Sequence, residues 1–541
     1  MPIARLFPGS HREILCLDRP FSNFTFVDQF AGGCTALRRI FSQVRRNGCR
    51  TLIIEDIAGA DDILQEDADL KAHPDIGPLE KSQTFRLSFF TIPFSEALRP
   101  DDLNDTNFVG YAILRVTQAA SGWGRIWIYE SVIRPERITN NFIRRTPKWQ
   151  CCILGKSLEI HGYLYAQQNG KTNCCAHVAV RSAAASFTDK SDFFYHEMNS
   201  LIGGYDGPGL NTQQMVQILE EAGASCFVGS FDATISGDPS FQIPFQKYIY
   251  GSIESGYPAI IFFGVGGHGE YHAIPAIGHT FNQDNWVPRA ELGYFTIGEN
   301  IQYIPSESWL SMFICHDDNF GSNYCVPRHY LHTGNETACA ECKQQIDEDA
   351  HQACVCYVIG TMPRFIKINP IAAEAIGADY LFELKEQIPP VENEWFGRLK
   401  HSAAHNKLVL RPILVTTKEY IDHLSSVRSW TGQPINESML SAFAENLADD
   451  WFWLIELSVA ELFAANKRKV GEVLIRATVE HNTERLFDSF VLARLPGYFV
   501  LYDEDLNNED SANFVFIPSG VEDHVELFGQ EEYPIKERPV L

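Results

Sequence analysis

The chain lacks three features that would settle its class at once. It has no apolar run of the roughly 18 residues that a membrane-spanning helix needs. Its longest apolar runs, such as PAIIFFGV at 258–265, have the length of a strand. It is short of positive charge: 44 Lys and Arg stand against 69 Asp and Glu, a formal net charge of -25. A surface of that sign repels phosphate backbones and argues against nucleic-acid binding. The basic stretches RRNGCR (45–50) and RPERITNNFIRR (134–145) are short and read as solvated faces. The 14 cysteines form no disulfide framework, for they are scattered and include the adjacent pairs Cys151–Cys152 and Cys174–Cys175, which cannot easily bridge each other. The opening MPIARLFPGSHREILCLDRPF lacks the continuous apolar core of a secretory signal. These absences point to a reducing, cytoplasmic setting, with no membrane and no nucleic acid as partner.

The 541 residues, 45% hydrophobic and 21% charged, are ordinary for soluble globular units. At roughly 100–200 residues per domain they suggest about three. Residues 1–155 look like one mixed, β-rich unit: a helical pattern over 28–48, then strand patterns at 51–57, 86–94, 108–117 and 124–133. Residues 156–335 place helices first (the segment after Cys175, and 212–223) and strands afterwards (257–265, 272–279, 290–297, 312–317). That order predicts an α+β unit in which a helix packs on an antiparallel sheet. A polar, acidic, Cys-containing linker covers 336–356. A C-terminal α+β unit covers 357–541, with strand patterns at 408–416, 451–458 and 490–504 and a helix at 438–449. Tandem repeats are not apparent.

The chemistry concentrates in QQNGKTNCCAHVAVRSAAA, 167–185. A catalytic cysteine must be a thiolate, and a helix N-terminus lowers the thiol's pKa with its unpaired N–H groups and dipole. Here a polar turn feeds a small-residue helix, with Asn173 in the place of a favoured cap. Gln167 and Gln168 offer N–H donors suited to an oxyanion. Buried packing is the other reading of the two cysteines, since cysteine is among the most buried residue types. Farther on, His272 starts an apolar strand after the glycine-rich GGHGEY, where a general base would be held rigidly. The strand MFICHD then runs into Asp317, Asp318 and Asn319, groups able to fix an imidazole tautomer. Alternation along a strand would turn Asp317 and Asp318 to opposite faces, so that only one meets the imidazole.

This order of Gln, Cys opening a helix, His opening a strand, then Asp before an aromatic-Gly resembles the papain-like cysteine peptidases, and most the bacterial bacteriocin-processing peptidase domains. Cys175-Ala176-His177-Val178-Ala179-Val180 fits that family's helix frame. His272-Ala273-Ile274-Pro275-Ala276-Ile277-Gly278 is similar to its base strand, and Asp318-Asn319-Phe320-Gly321 to its third motif. The resemblance covers the central part only. It implies Cys175 as nucleophile, His272 as base, Asp318 as orienter and Gln168 in the oxyanion hole, with no cofactor and no metal. The family's Gln-to-Cys spacing of six would pair Gln168 with Cys174, so Cys174, Asp317 and Gln167 stand as alternatives. The implied reaction is hydrolysis of a peptide or isopeptide bond in a protein or peptide substrate through a thioester. Acyl transfer of the transglutaminase kind, or a non-catalytic peptide-binding scaffold, would use the same frame. The flanking domains would recruit a partner or restrict the substrate.

A second cysteine group, Cys339-x-x-Cys342 with His351, Cys354 and Cys356, could supply zinc ligands of the thiolate-imidazole type. It could equally be an acidic linker with incidental thiols.

Overall fold

The computed structural model describes residues 12–17, 34–95, 97–135, 141–187, 193–204, 209–231, 243–265, 270–281, 303–332, 353–387, 394–405, 407–427, 434–435, 437–447, 450–466, 469–480, 488–502 and 514–518. They form an α+β protein built on antiparallel sheets.

The N-terminal part runs β1 (Arg12–Cys16), α1 (Thr35–Arg46), β2 (Thr51–Asp56), α2 (Asp61–Ala72), β3 (Leu79–Phe90), β4 (Phe108–Ala119) and β5 (Gly124–Ile133). In α1, Leu37, Ile40, Phe41 and Val44 repeat at helical spacing and are buried, while Arg45 and Arg46 sit at the negative end of the helix dipole. Then come β6 (Asn141–Phe142), the hairpin β7 (Lys148–Ile153) and β8 (Lys156–His161), and β9 (Leu164–Tyr165). Strands β1 to β5 and then β9 make a six-stranded sheet in that order.

The middle part runs α3 (Cys175–Ala184), α4 (Tyr195–Leu201), α5 (Thr212–Glu221), β10 (Ala224–Ser230), α6 (Phe245–Glu254), β11 (Ala259–Val265), β12 (Glu270–Phe281), β13 (Ile304–Pro305), β14 (Leu310–Asp317), β15 (Gly321–Pro327), β16 (Leu331–His332) and β17 (Ala353–Pro363). Its sheet has the order β10-β17-β11-β12-β14-β15, with β6 added on β12 and β16 on β17. Helix α3 packs on this sheet through small residues, and every residue in it except Cys175 is buried. Arg181 of α3 ties it to the first sheet through Glu130 at 2.6 Å.

The C-terminal part holds α7 (Pro370–Gln387), α8 (Glu394–Ala404), β18 (Leu408–Thr416), α9 (Thr417–Ser426), α10 (Glu437–Leu447), β19 (Trp451–Val459), α11 (Ala460–Asn466), β20 (Gly471–Arg476), β21 (Phe490–Leu495), β22 (Tyr498–Tyr502) and β23 (Phe514–Pro518). Its sheet begins with β13 and continues from β18 to β23. The 490–504 pattern is two strands, not one, because Pro496 and Gly497 (φ +85) turn the chain between them.

The three parts interlock. Strand β6 leaves the first part for the second sheet, β13 leaves the middle for the third, and β17 completes the second sheet from beyond the expected 335 boundary. One apolar core runs from Ile53 through Ala179 to Ile359. Cys354 and Cys356, expected in a linker, lie on β17. Cys339, Cys342, His351 and the 290–297 pattern lie outside the described residues. Among the described residues no helix is long and apolar enough to cross a membrane.

Candidate active site

Two asparagines build the turn that delivers the cysteines. Asn169 Oδ1 accepts from the Lys171 and Thr172 N–H groups at 2.8 and 2.9 Å, and its amide donates to Glu66 Oε1 on α2 at 3.1 Å. Asn173 Oδ1 accepts from Asn169 N–H at 2.7 Å. That bond spends the side chain expected to cap the helix. The cap is Cys174 instead, and Cys175 is the first helical residue.

The adjacent thiols then diverge. Cys174 Sγ lies 3.2 Å from His177 Nδ1, and His177 Nε2 lies 2.8 Å from Asn199 Oδ1 on α4. The same Nδ1 accepts the Cys174 backbone N–H at 3.3 Å, the reciprocal geometry of a capping box. This cluster is closed: Cys174 is 7% exposed and His177 0%. Cys175 is half-buried and faces β12, where the Ala273 backbone N–H reaches its sulfur. A hydrogen bond from the Cys175 thiol holds Cys174 well below the usual thiol range, against burial and with help from His177. That bond, and then burial, pushes Cys175 up.

Strand β12 has room for this contact because its pairing with β14 begins only at Ala276, beside Pro275, which has no N–H to donate. Upstream of that point His272 sits against the end of β14. Its Nε2 is 3.4 Å from Asp317 Oδ1 and 3.4 Å from Asp318 Oδ1, with the Asn319 amide nitrogen at 3.5 Å. Phe263 packs edge-on to the ring at 5.5 Å. Burial opposes the imidazolium, but the bond to Asp317 and the charges of Asp318 and Asp317 outweigh it, so the His272 pKa is raised. With Nε2 engaged, Nδ1 is the nitrogen left to serve a thiol.

Both aspartates thus meet the ring, where strand alternation predicts one. The register slips between Cys315 and Asp317, and β14 ends at Asp317, so Asp318 lies in the turn and alternation no longer holds. Asp317 Oδ1 also accepts the Asn319 and Phe320 N–H groups at 2.8 and 3.1 Å. Neither Asp318 carboxylate oxygen accepts a hydrogen bond among the described residues. Burial pushes Asp318 up to about 6, with the His272 charge pulling the other way.

The glutamines part company too. Gln167 Oε1 accepts from Ile128 N–H at 3.0 Å and its amide donates to the Asp318 carbonyl at 2.9 Å, so this side chain positions the aspartate turn. Gln168 is half-buried, and no side-chain hydrogen bond holds it elsewhere among the described residues. Helix α1 clamps the chain just after the turn: Arg39 and Gln43 donate to the Ser322 carbonyl at 3.1 and 2.6 Å. Gly321 (φ +112) permits this approach, since a Cβ there would stand 2.9 Å from Arg39 Cβ.

Sequence reasoning missed His177 with Asn199, the positioning role of Gln167, and the α1 clamp. Only the first had a local signal, the histidine three places after the cap. Among the described residues, His272, Asp317 and Asp318 are also the one group whose donor atoms could hold a metal ion, all lying within 4.8 Å of one another. No family model, no curated protein and no solved structure matches this chain.

Proposed function

We propose that the protein is a thiol hydrolase that cleaves peptide or isopeptide bonds through a thioester on Cys175. One observation carries this reading. In a helix otherwise wholly buried, the single residue that solvent reaches is a first-turn cysteine, set against a strand whose histidine is backed by two carboxylates. In the proposed cycle Cys175 passes its proton to His272 Nδ1 as sulfur attacks the carbonyl carbon. The oxyanion takes N–H donors from the start of α3 and the Gln168 amide. Asp317 and Asp318 stabilise the imidazolium, which protonates the departing amine, and water then cleaves the thioester. Tyr271 and Phe320, 59% and 60% exposed, neighbour His272 and the Asp318 turn in the chain and offer apolar contact to peptide side chains. The flanking sheets would restrict which substrates arrive.

The Cys174–His177–Asn199 line supports a second reading, with Cys174 as nucleophile. It ranks below the first because a fully buried base in the same helical turn has no path to a leaving group. The test is modification by a peptide-derived electrophile together with turnover of a peptide library, in wild type and Cys175→Ala. Modification and turnover that vanish in Cys175→Ala support the reading. Unmodified wild type, or unchanged modification in the variant, refutes it, and product captured on an added amine assigns acyl transfer.

A further inference from the structure

The spacing around His272 is long for charge-assisted hydrogen bonds and also fits a bound metal ion. A charge-assisted N–H···O bond is normally about 2.7–2.9 Å long. Here His272 Nε2 stands 3.4 Å from one oxygen of each aspartate. Donor atoms at the corners of a tetrahedron around zinc, about 2.0–2.2 Å from the metal, stand about 3.4 Å from one another. The three donors come from two adjacent strand ends and all lie within 4.8 Å of one another.

Asp318 is the second, independent sign. The residue is 5% exposed, its carboxylate points at His272, and neither oxygen accepts a hydrogen bond among the described residues. A buried carboxylate held by no closer side-chain partner than an imidazole at 3.4 Å is costly, and a metal ion is one of the partners that removes that cost. Imidazole with two carboxylates is also a donor set that zinc accepts.

We infer that His272, Asp317 and Asp318 form a site for one divalent cation of the zinc class, and that filling it switches the thiol off. The second clause rests on the thiol-hydrolase reading; the first does not. A metal on Nε2 leaves the imidazole proton on Nδ1, the nitrogen that must accept the proton of Cys175. The base is then occupied at one nitrogen and already protonated at the other. Cys175 does not belong to the ligand group, so the fourth position of the tetrahedron falls to water.

The experiment uses the full chain with zinc in competition against a chromophoric chelator, and cobalt(II) as the spectroscopic probe. Wild type is expected to bind one equivalent more tightly than Asp318→Asn by at least about tenfold. That equivalent should give tetrahedral cobalt bands without thiolate charge transfer, and Cys175→Ala should keep it. Zinc should also slow alkylation of Cys175 in wild type and not in Asp318→Asn, with chelator restoring the rate. Equal zinc binding in wild type and Asp318→Asn overturns the site, as does cobalt absorption of thiolate type that disappears in Cys175→Ala. Binding with no effect on alkylation removes the switch and leaves the site standing. Because the metal readout needs no substrate, it survives or fails separately from the hydrolase reading.

Discussion

Strand β12 carries two buried histidines, His272 and His279, and each meets carboxylate. His279 Nε2 lies 2.6 Å from Glu254 Oε1, and the other oxygen of Glu254 takes Arg411 at 2.8 Å. Arg411 continues to Glu456, Glu456 to Lys469, Lys469 to Glu472 and Glu472 to Arg494, so signs alternate along a buried chain that joins the middle and C-terminal sheets. Against the cost of burial, Arg411 and His279 hold Glu254 down at about 2. Burial keeps His279 low despite Glu254, so it stays a neutral donor. At the other end His272 faces two carboxylates with no arginine salt bridge to either among the described residues, and it is pushed toward its cation beside a thiol that solvent reaches. The same residue types make a completed structural joint at one end and a cluster without a balancing arginine salt bridge among the described residues at the other. What separates them is the count of cations and the access of water.

The largest effect expected from this contrast is on chemistry. His272→Ala should slow modification of Cys175 by a peptide electrophile by about 10²–10⁴-fold, the usual weight of a general base. His279→Ala should leave that rate unchanged per folded molecule while lowering the unfolding midpoint. Rates measured by intact-mass spectrometry, normalised to the folded fraction, check both. A comparable rate loss in the His279 variant would erase the distinction.

Next in size is stability. Arg411→Ala takes from Glu254 and Glu456 the buried cation they share and should cost about 3–5 kcal/mol in urea unfolding. Asp318→Asn should act in the opposite sense. The folded pKa of Asp318, about 6, lies above the 3.8 of a free aspartate. Its stability contribution is therefore full below the unfolded pKa and lost as pH rises through about 6. The amide does not titrate, so the variant should gain up to about 3 kcal/mol over wild type at pH 7, with the gain vanishing toward pH 4. Unfolding at the two pH values decides this, and a variant less stable at pH 7 would contradict it. The same substitution should slow the thiol chemistry.

The smallest effect belongs to Asp317→Asn. The amide oxygen can still accept the Asn319 and Phe320 N–H groups, so the turn should persist. The charge and hydrogen bond that raise His272 are weakened, so the acid limb of the pH–rate profile should move to lower pH. A limb that stays in place would assign the raised His272 pKa to Asp318 alone.

Much of this was legible because it is local. The strands at 51–56, 124–133 and 408–416 announce themselves by β-branched and aromatic runs, and the helix after Cys175 by its alanines. The order of cysteine, histidine and aspartate put the site's parts on the right kinds of element. What stayed hidden depends on long-range pairing. Nothing near 141–142 or 304–305 says that those residues will join other sheets. The slip between Cys315 and Asp317, which brings both aspartates to one ring, is a property of β14 against β15. The engagement of Gln167 with Ile128 and Asp318, and the clamp of Arg39 on Ser322, join residues far apart in the chain.

The central claim is that Cys175, not its neighbour, is the reactive thiol, and alkylation mapped by tandem mass spectrometry across pH tests it most directly. In wild type and Cys174→Ala the label is expected on Cys175. Removing Cys174 also removes the sulfur that raises Cys175, so in that variant the reaction should persist to lower pH. Label that resides on Cys174 in wild type and is lost in Cys174→Ala, with Cys175 inert in both, would contradict the account.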